Sequence, residues 1–399
     1  MRWPLKRLDE LGYVSRGRSR HRPRDAAHLY GGPFPFIQTG DVKHSSLYIT
    51  EYTQTYSEAG LAQSRLWPVG TLCITIAANI ADTSILGIEA CFPDSVIGFI
   101  PDPREADARF IKYSFDALLQ KQYQNFSKGA AQDNLSQEKL LSIDIPVPKA
   151  EMQTEIADVL ANYDALIENN RRRIALLEQA ARLLYEEWFV RFHFPGYEHA
   201  KFISGLPEGW TRRPASECLN ILSGGTPKTE NAAFWDGDIP FFTPKDADPS
   251  VFVFDTEKHL TERGLKECNS HLYPENTLLI TARGTVGKMN LAGRPMAMNQ
   301  SCYALVAHPP LTQEFLYFAI SDGVRELRSQ AGGAVFDAII RNTFRFIPLI
   351  VPSDEAVTRF TEIIQAYLKS MVNLQSQIRC LQSARDLLLP RLMSGEVEV

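Results

Sequence analysis

Residues 224–246 read GGTPKTENAAFWDGDIPFFTPKD, and the opening Gly-Gly-Thr-Pro-Lys has the residue types of a phosphate cradle. A nucleotide P-loop places Gly-Lys-Ser/Thr four residues after a first glycine, so that backbone amides surround the phosphates and the lysine reaches the terminal one. Here Lys228 follows Pro227, whose nitrogen has no hydrogen to donate. A second run, RGTVGK at 283–288, leaves only two residues between Gly284 and Gly287 and puts Met289 after the lysine. Neither is a P-loop, and both read first as polar turns between strands. SRGRSRHRPRD at 15–25 is the stronger electrostatic signal, with Arg16, Arg18, Arg20, Arg22 and Arg24 at every second position. In an extended segment that period puts all five guanidinium groups on one face. Guanidinium forks suit phosphates and the bidentate edge of guanine. The competing reading of the run is a solvated arm.

Composition narrows the class without naming it. A chain of 399 residues, 44% hydrophobic and 22% charged, has room for two or three domains with their own cores. No apolar run approaches the roughly 18 residues of a membrane span, and the N-terminus lacks a secretory stretch, so a cytoplasmic location is expected. Cys73, Cys91, Cys218, Cys268, Cys302 and Cys380 are scattered with no C-x-x-C pair, which predicts reduced, buried thiols rather than a metal site or disulfides. The net charge of −5 is concentrated in 149–200, where six Lys and Arg face nine Asp and Glu. Charge alone neither supports nor excludes DNA. We find no catalytic constellation: no Asn/Asp-Pro-Pro-aromatic tetrapeptide, no glycine-rich S-adenosylmethionine loop, no Walker lysine and no nuclease carboxylate–lysine cluster.

The elements that would carry these residues are written twice. RLWPVGTLCIT at 65–75 aligns with HLYPENTLLIT at 271–281, and FPFIQTGD at 34–41 resembles IPFFTPKD at 239–246. Trp3 and Gly17 correspond to Trp210 and Gly224, and Pro148 to Pro352. A period near 204 is too long for a solenoid and marks a duplicated two-part unit. The globular parts, 1–148 and 205–352, show short strand-like runs (TLCITIA, SVIGFIP, TLLITA, CYALVA), helical stretches at 107–125 and 312–330, and a closing apolar strand ending on proline. We expect an α+β fold with a mostly antiparallel or mixed sheet in each.

The second part of each unit, 149–204 and 353–399, is helical. Ile156, Leu160, Tyr163, Ile167, Asn170, Ile174, Leu177, Ala181, Leu184 and Trp188 follow steps of four and three, an a/d seam over more than four heptads. The second copy reads Phe360, Ile364, Tyr367, Met371, Leu374, Ile378, Leu381, Arg385 and Leu388; Arg385 interrupts the seam, and Pro390 is expected to kink or end the helix. A pseudo-twofold relation between the halves predicts that two such helices, about 50 Å long at ~1.5 Å per residue, pair as an antiparallel coiled coil.

These stretches, in this order over nearly the whole chain, resemble the specificity subunit of type I restriction–modification systems. SGGTPKTENAAFWDGDIPFFTPKD and SRGRSRHRPRDAAHLYGGPFPFIQTGDV resemble parts of its two target-recognition domains. YEEWFVRFHFPGYE at 185–198 and RDLLLPRLMSGEV at 385–397 resemble the ends of its two conserved helical regions. The resemblance implies a non-catalytic DNA-recognition subunit that reads a bipartite, asymmetric double-stranded target with domains 1–148 and 205–352. It implies two modification subunits that bind S-adenosylmethionine and methylate adenine N6, and restriction subunits that use ATP and Mg. No cofactor is expected on this chain. The modification subunits are expected on the helical regions, beside the seam and at the Trp188-Phe189 and Leu387-Leu389 clusters.

On this reading the 224–229 loop becomes a candidate contact to DNA, with Gly224, Gly225 and Thr226 offering amides and a hydroxyl and Lys228 a charge. The arginine run would track phosphates or enter a groove. Turns after strands supply the other candidates: Thr39, Gly40, Asp41, Asn79, Asp94, Ser95 and Gln132 in the first domain, and Lys245, Asp246, Arg283, Thr285, Asn299 and Gln300 in the second. Arg171, Arg172 and Arg173, mid-helix, read as a solvated face. Two rival classes are weighed: a methyltransferase or nuclease fused to recognition domains, which would itself bind S-adenosylmethionine, and a coiled-coil assembly protein that binds no specific DNA. If the helices act as a ruler, ~50 Å caps the spacer at about 15 base pairs, and domains packed on the helix sides bring it nearer one turn, about 34–36 Å. Inserting one heptad into both helices should lengthen the spacer of the methylated target and leave both half-sites unchanged; altered half-sites would refute the ruler.

Overall fold

The computed structural model describes residues 3–77, 81–126, 136–330 and 338–397. Asn79 and Gln132 lie outside the described residues. The chain divides into two compact units, residues 1–171 with 376–399, and residues 172–375.

The first unit is built on a five-stranded sheet. Strands β1 (Gly12–Arg16), β2 (Tyr30–Phe36), β3 (Tyr48–Ile49), β4 (Leu72–Thr75), β5 (Thr83–Leu86) and β6 (Val96–Pro101) precede helix α1 (Ala108–Phe126) and the long helix α2 (Ala150–Tyr185). The sheet order is β1-β6-β4-β5-β3, antiparallel except where β3 runs parallel to β5, with Tyr48 opposite Ile85. LCIT lacks the alternation of a half-exposed strand because both faces are covered. Leu72 and Ile74 face a core shared with Phe110 and Ile111 of α1, while Cys73 packs with Trp67 and Phe92 on the other side.

The second unit repeats this frame. Strands β7 (Leu219–Ser223), β8 (Trp235–Phe242), β9 (Phe252–Val253), β10 (Leu278–Thr281), β11 (Met289–Ala292) and β12 (Cys302–Ala307) are followed by α3 (Gln313–Gln330) and the second long helix, α4 (Asp354–Met393). The sheet order β7-β12-β10-β11-β9, with β9 parallel to β11, is that of the first unit strand for strand. The α+β mixed sheets and single helices expected from the repeat are therefore present in both halves.

Each long helix lends its two ends to two different cores. In the first unit Ile156 and Leu160 of α2 and Leu392 and Met393 of α4 close the core under α1. Asp164 of α2 meets Arg385 of α4 at 2.5 Å; further along α2, Asn170 meets Gln377, further back along α4, at 3.2 Å, so the two helices run antiparallel there. In the second unit Tyr185 and Trp188 contact the ring of Phe360, while Ile174 and Met371 line one recess, again antiparallel. Every seam position, Ile156 through Trp188 and Phe360 through Leu388, is buried or half-buried. Arg171, Arg172 and Arg173 are exposed.

Three expectations need correction. Pro390 does not end α4, which runs three residues further to Met393. Leu392 and Met393 are buried in the first unit's core, which offsets the hydrogen bond that proline forgoes. Trp188 and Phe189 are not an exposed patch. At Glu186–Val190 the helix widens to π geometry, and both rings turn into the second unit's core, Phe189 lying against Phe315 and Phe360. Only Leu387 of the Leu387-Leu389 cluster is openly exposed, at 71%. The cysteines are all free, but Cys268 is half-buried and Cys380 exposed.

Arg385, which interrupts the apolar seam, has a partner waiting. Asp164, 5% exposed, accepts from Arg385 and also from the Tyr113 hydroxyl of α1 at 2.6 Å. Burial and the Asp164 carboxylate hold the Tyr113 phenol well above its usual range. One offset of 204 away, the second unit has Tyr317, Leu368 and Ala181 at the matching places, all buried and none ionisable except Tyr317. Removing one partner of a buried ion pair strands the other, at a cost of several kcal/mol. Asp164→Ala is expected to destabilise the first unit by about 3 kcal/mol. Asp164→Leu with Arg385→Ala, the second unit's pattern, should recover most of that in urea unfolding; a cost below ~1 kcal/mol for the single change would contradict this account.

Candidate nucleic-acid interface

In the first unit the arginine run leaves strand β1 and is clasped to the segment before Trp67. Ser64 Oγ donates to the Arg18 carbonyl at 2.8 Å, and Gln63 Oε1 accepts from the amides of Arg20 and His21 at 2.5 and 3.0 Å. Gly17 sits where an added Cβ would come 2.3 Å from the carbonyl oxygens of Phe92 and Pro93, so only glycine lets the strand end pass. The run is thus an ordered strap, not a free arm. Arg16, Arg18 and Arg20 are exposed with Gly17 and Ser19 buried between them, as an extended segment requires.

The one-face expectation fails beyond Arg20. The chain turns at 22–25, Arg22 donates to the carbonyls of Ser19 and His21, and Arg24 forms an ion pair with Asp94 at 2.8 Å. A guanidinium folded back onto its own loop cannot share a face with three that point outward. Local structure engages two other candidates in this unit, one through its carboxylate and one through its main chain only. Asp41 accepts the Gln38 amide at 2.8 Å at the start of the short helix Thr39–His44, which includes Thr39 and Gly40, and the Ser95 carbonyl accepts from Ile76.

In the second unit four loops meet at one end of the sheet. They follow β7 and β8, link β10 to β11, and precede β12. Asn299 donates its amide to Phe242, Arg283 to the Ser301 carbonyl, and Thr285 Oγ1 to the carbonyl of Pro244, next to Lys245. The Thr226 hydroxyl donates to Gln300 Oε1. Thr226, Lys228, Lys245, Arg283, Thr285 and Gln300 are exposed; Asn299 is half-buried, its Oδ1 accepting from Ser301. The structure therefore brings Thr226, Lys245, Arg283, Asn299 and Gln300 together.

The anion-cradle expectation for the two glycines is corrected here. Gly224 and Gly225 are buried, and the Gly225 amide already donates to Met298 at 3.1 Å. A Cβ on Gly224 would lie 2.2 Å from the Asn299 carbonyl oxygen, and one on Gly225 2.7 Å from the Asn269 nitrogen. Their smallness lets the loop pack against its neighbours, the duty that Gly17 has in the first unit. Asp246 is likewise structural, accepting from Thr243 and Glu257.

Sequence reasoning passed over Arg65, Gln63 and Arg341. Arg341 Nη2 donates to Ser223 Oγ at 3.0 Å, at the end of β7. Arg65 opens the repeated segment RLWPVGTLCIT and is matched by His271, so the alignment marked the position without indicating its surroundings. Among the described residues no group of three or more His, Cys, Asp and Glu is arranged to hold a metal ion, and no helix is long and apolar enough to cross a membrane.

Comparison with known proteins places the geometry in a family. The model for the type I restriction modification DNA specificity domain matches twice, at residues 2–179 and 207–379. The MjaIX type I restriction enzyme specificity subunit of Methanocaldococcus jannaschii is 24% identical over 413 residues, covering 100% of this chain and 94% of that one. The HindI specificity subunit of Haemophilus influenzae is 24% identical over 320 residues, covering 64% of this chain and 69% of its own. Among solved structures, the type I restriction-modification S subunit from M. genitalium superposes with a TM-score of 0.57 at 15% identity, over 98% of this chain and 96% of that one. A recognition domain that matches twice, on two units with the same strand order, leads to one conclusion: this chain belongs to the type I restriction–modification DNA specificity family.

Proposed function

We propose that this chain is the DNA-specificity subunit of a type I restriction–modification complex, reading a bipartite target with its two recognition domains. The observation that carries this reading is that one frame is used twice with different loop chemistry. Arginines line the strand end in the first unit, whereas Thr226, Gln300, Lys245 and Arg283 cluster at the strand ends of the second. Two reading heads with different side chains would recognise two different half-sites, hence an asymmetric target. Amide and guanidinium groups supply base-edge contacts, and guanidinium groups, hydroxyls and lysines supply phosphate contacts.

Domains 1–148 and 205–352 would be the heads, and 149–204 and 353–399 the scaffold. The chain itself would perform no chemistry. Two modification subunits carrying S-adenosylmethionine would methylate adenine N6, and restriction subunits would bring ATP and Mg, all in the cytoplasm. Exposed apolar side chains beside the seam, Leu166, Leu176 and Leu183 on α2 and Leu387 on α4, favour these helices as the face for modification subunits.

The deciding experiment is co-expression with the neighbouring modification subunit, followed by mapping of N6-methyladenine across the host genome. The expected result is a split motif, two short defined parts around unspecified bases. A continuous motif would reject reading through a spacer, and no new methylation from an assembled, otherwise active complex would reject the role.

A further inference from the structure

Arg65 stands apart from the other arginines of the first unit. Its guanidinium carbon lies 4.2 Å from the ring centre of Trp67 and 4.8 Å from that of Tyr13, and Nη1 donates to the Tyr13 hydroxyl at 2.8 Å. Trp67 is fully buried, whereas Tyr13 is 49% exposed, so the guanidinium lies at the boundary between core and solvent. Such stacking holds the planar group in one orientation at little further entropic cost.

Its neighbours are cations without counter-charges. The residues just before it, Gln63 and Ser64, are the clasp that holds the arginine strap, and hydrogen bonds to Ser15 and then Arg65, with the charges of Arg65 and Arg18 adding to them, hold the Tyr13 phenol below its usual range. Arg7, Arg104 and Arg109 in the same unit each sit on carboxylates. Arg16, Arg18, Arg20 and Arg65 form no ion pair among the described residues. Unpaired guanidinium groups at Arg65 and along the strap, while others in the unit are neutralised, create a local positive field that suits a polyanion. The matching position in the second unit is His271, beside Tyr273 with ring centres 6.2 Å apart, so the feature is not shared by the two halves.

We propose that Arg65 is a DNA phosphate contact of the first recognition domain, held ready between Tyr13 and Trp67 beside the Gln63-Ser64 clasp that holds the arginine strap. This rests on the DNA-recognition reading above. The assignment is to phosphate because Nη1, one arm of the Arg65 fork, is already engaged by the Tyr13 hydroxyl, and the neighbouring amide side chain, Gln63, is engaged in holding the strap. A phosphate contact adds affinity for any sequence and contributes to the salt dependence, whereas a base contact changes the motif.

The test uses the assembled complex of the full chain with its modification subunit. Binding of a duplex carrying the mapped target, and of an unrelated duplex, is measured from low to moderate salt. Arg65→Ala is expected to weaken both by a similar factor, about tenfold, and to lower the slope of log affinity against log salt by about one, with the methylated motif unchanged. Arg65→Lys should keep the slope and lose part of the affinity, because the charge remains while the stacked fork does not. If Arg65→Ala fails to fold, judged by its melting temperature, Arg65→Lys and Tyr13→Phe carry the test, the latter expected to weaken both duplexes alike at constant slope. Unchanged affinity and slope in the folded variants would overturn the proposal, as would a relaxed base preference in one half-site. Failure of the wild-type complex to prefer its target would instead overturn the recognition reading itself.

Discussion

Everything in this molecule is arranged around a single constraint: each long helix has one narrow apolar seam, and no water-exposed arrangement tolerates it. A seam at every third and fourth position is too narrow to bury against a broad sheet and fits best against another helix. In each unit that other helix is the remaining long one, running the opposite way. The globular parts then complete their cores on the paired helices, as Phe110 does beside Ile156 and Leu160, and Phe315 beside Phe189 and Phe360. The end of each sheet's covering layer is thus supplied by helices from two distant stretches of chain.

Duplication preserved this frame and let its chemistry diverge. The strand order and parallel edge pair of the five-stranded sheet, and the glycine at the end of its first strand, are common to both units. The helix junctions are not. In the first unit a carboxylate, a guanidinium and a phenol satisfy one another; in the second, burial pushes the Tyr317 phenol up to about 12, with the nearby Glu178 carboxylate adding to it. Glu178, itself raised by burial, accepts the Val251 amide at 3.1 Å and so ties α2 to the loop before β9. A polar junction in one unit and a mostly apolar one in the other achieve the same docking by different means. The polar version is geometrically more selective, because a misplaced partner would leave a buried charge.

The same division of labour holds at the strand ends. Gly17 and Gly224 are there for close packing, and Asp41 and Asp246 hold their own turns. Side chains that remain available, such as Arg16, Arg18, Lys245 and Arg283, stand on loops that those internal contacts make rigid. Rigid presentation matters for recognition, since a side chain ordered only on binding loses part of its contact energy to entropy.

The architecture was legible in the linear chain because its signals are linear. A repeat offset and a heptad seam are properties of order along the sequence, and the seam from Ile156 to Trp188 could be found without knowing what it faces. The strands TLCIT and TLLIT, and the helices near 108 and 313, followed from local runs in the same way. Which polar groups are already engaged is settled by folding alone. The Gly225 amide is used by Met298, Arg24 by Asp94 and Arg385 by Asp164, partners 70 to 221 residues away, and Pro390 stays helical because Leu392 and Met393 are buried beyond it. Arg65 shows the converse: a lone arginine in a repeated segment gains its fixed orientation from Tyr13, 52 residues earlier. The spacing of residue types along a chain sets which elements form. Whether a donor, acceptor or charge remains free to meet a ligand depends on neighbours that only folding brings near.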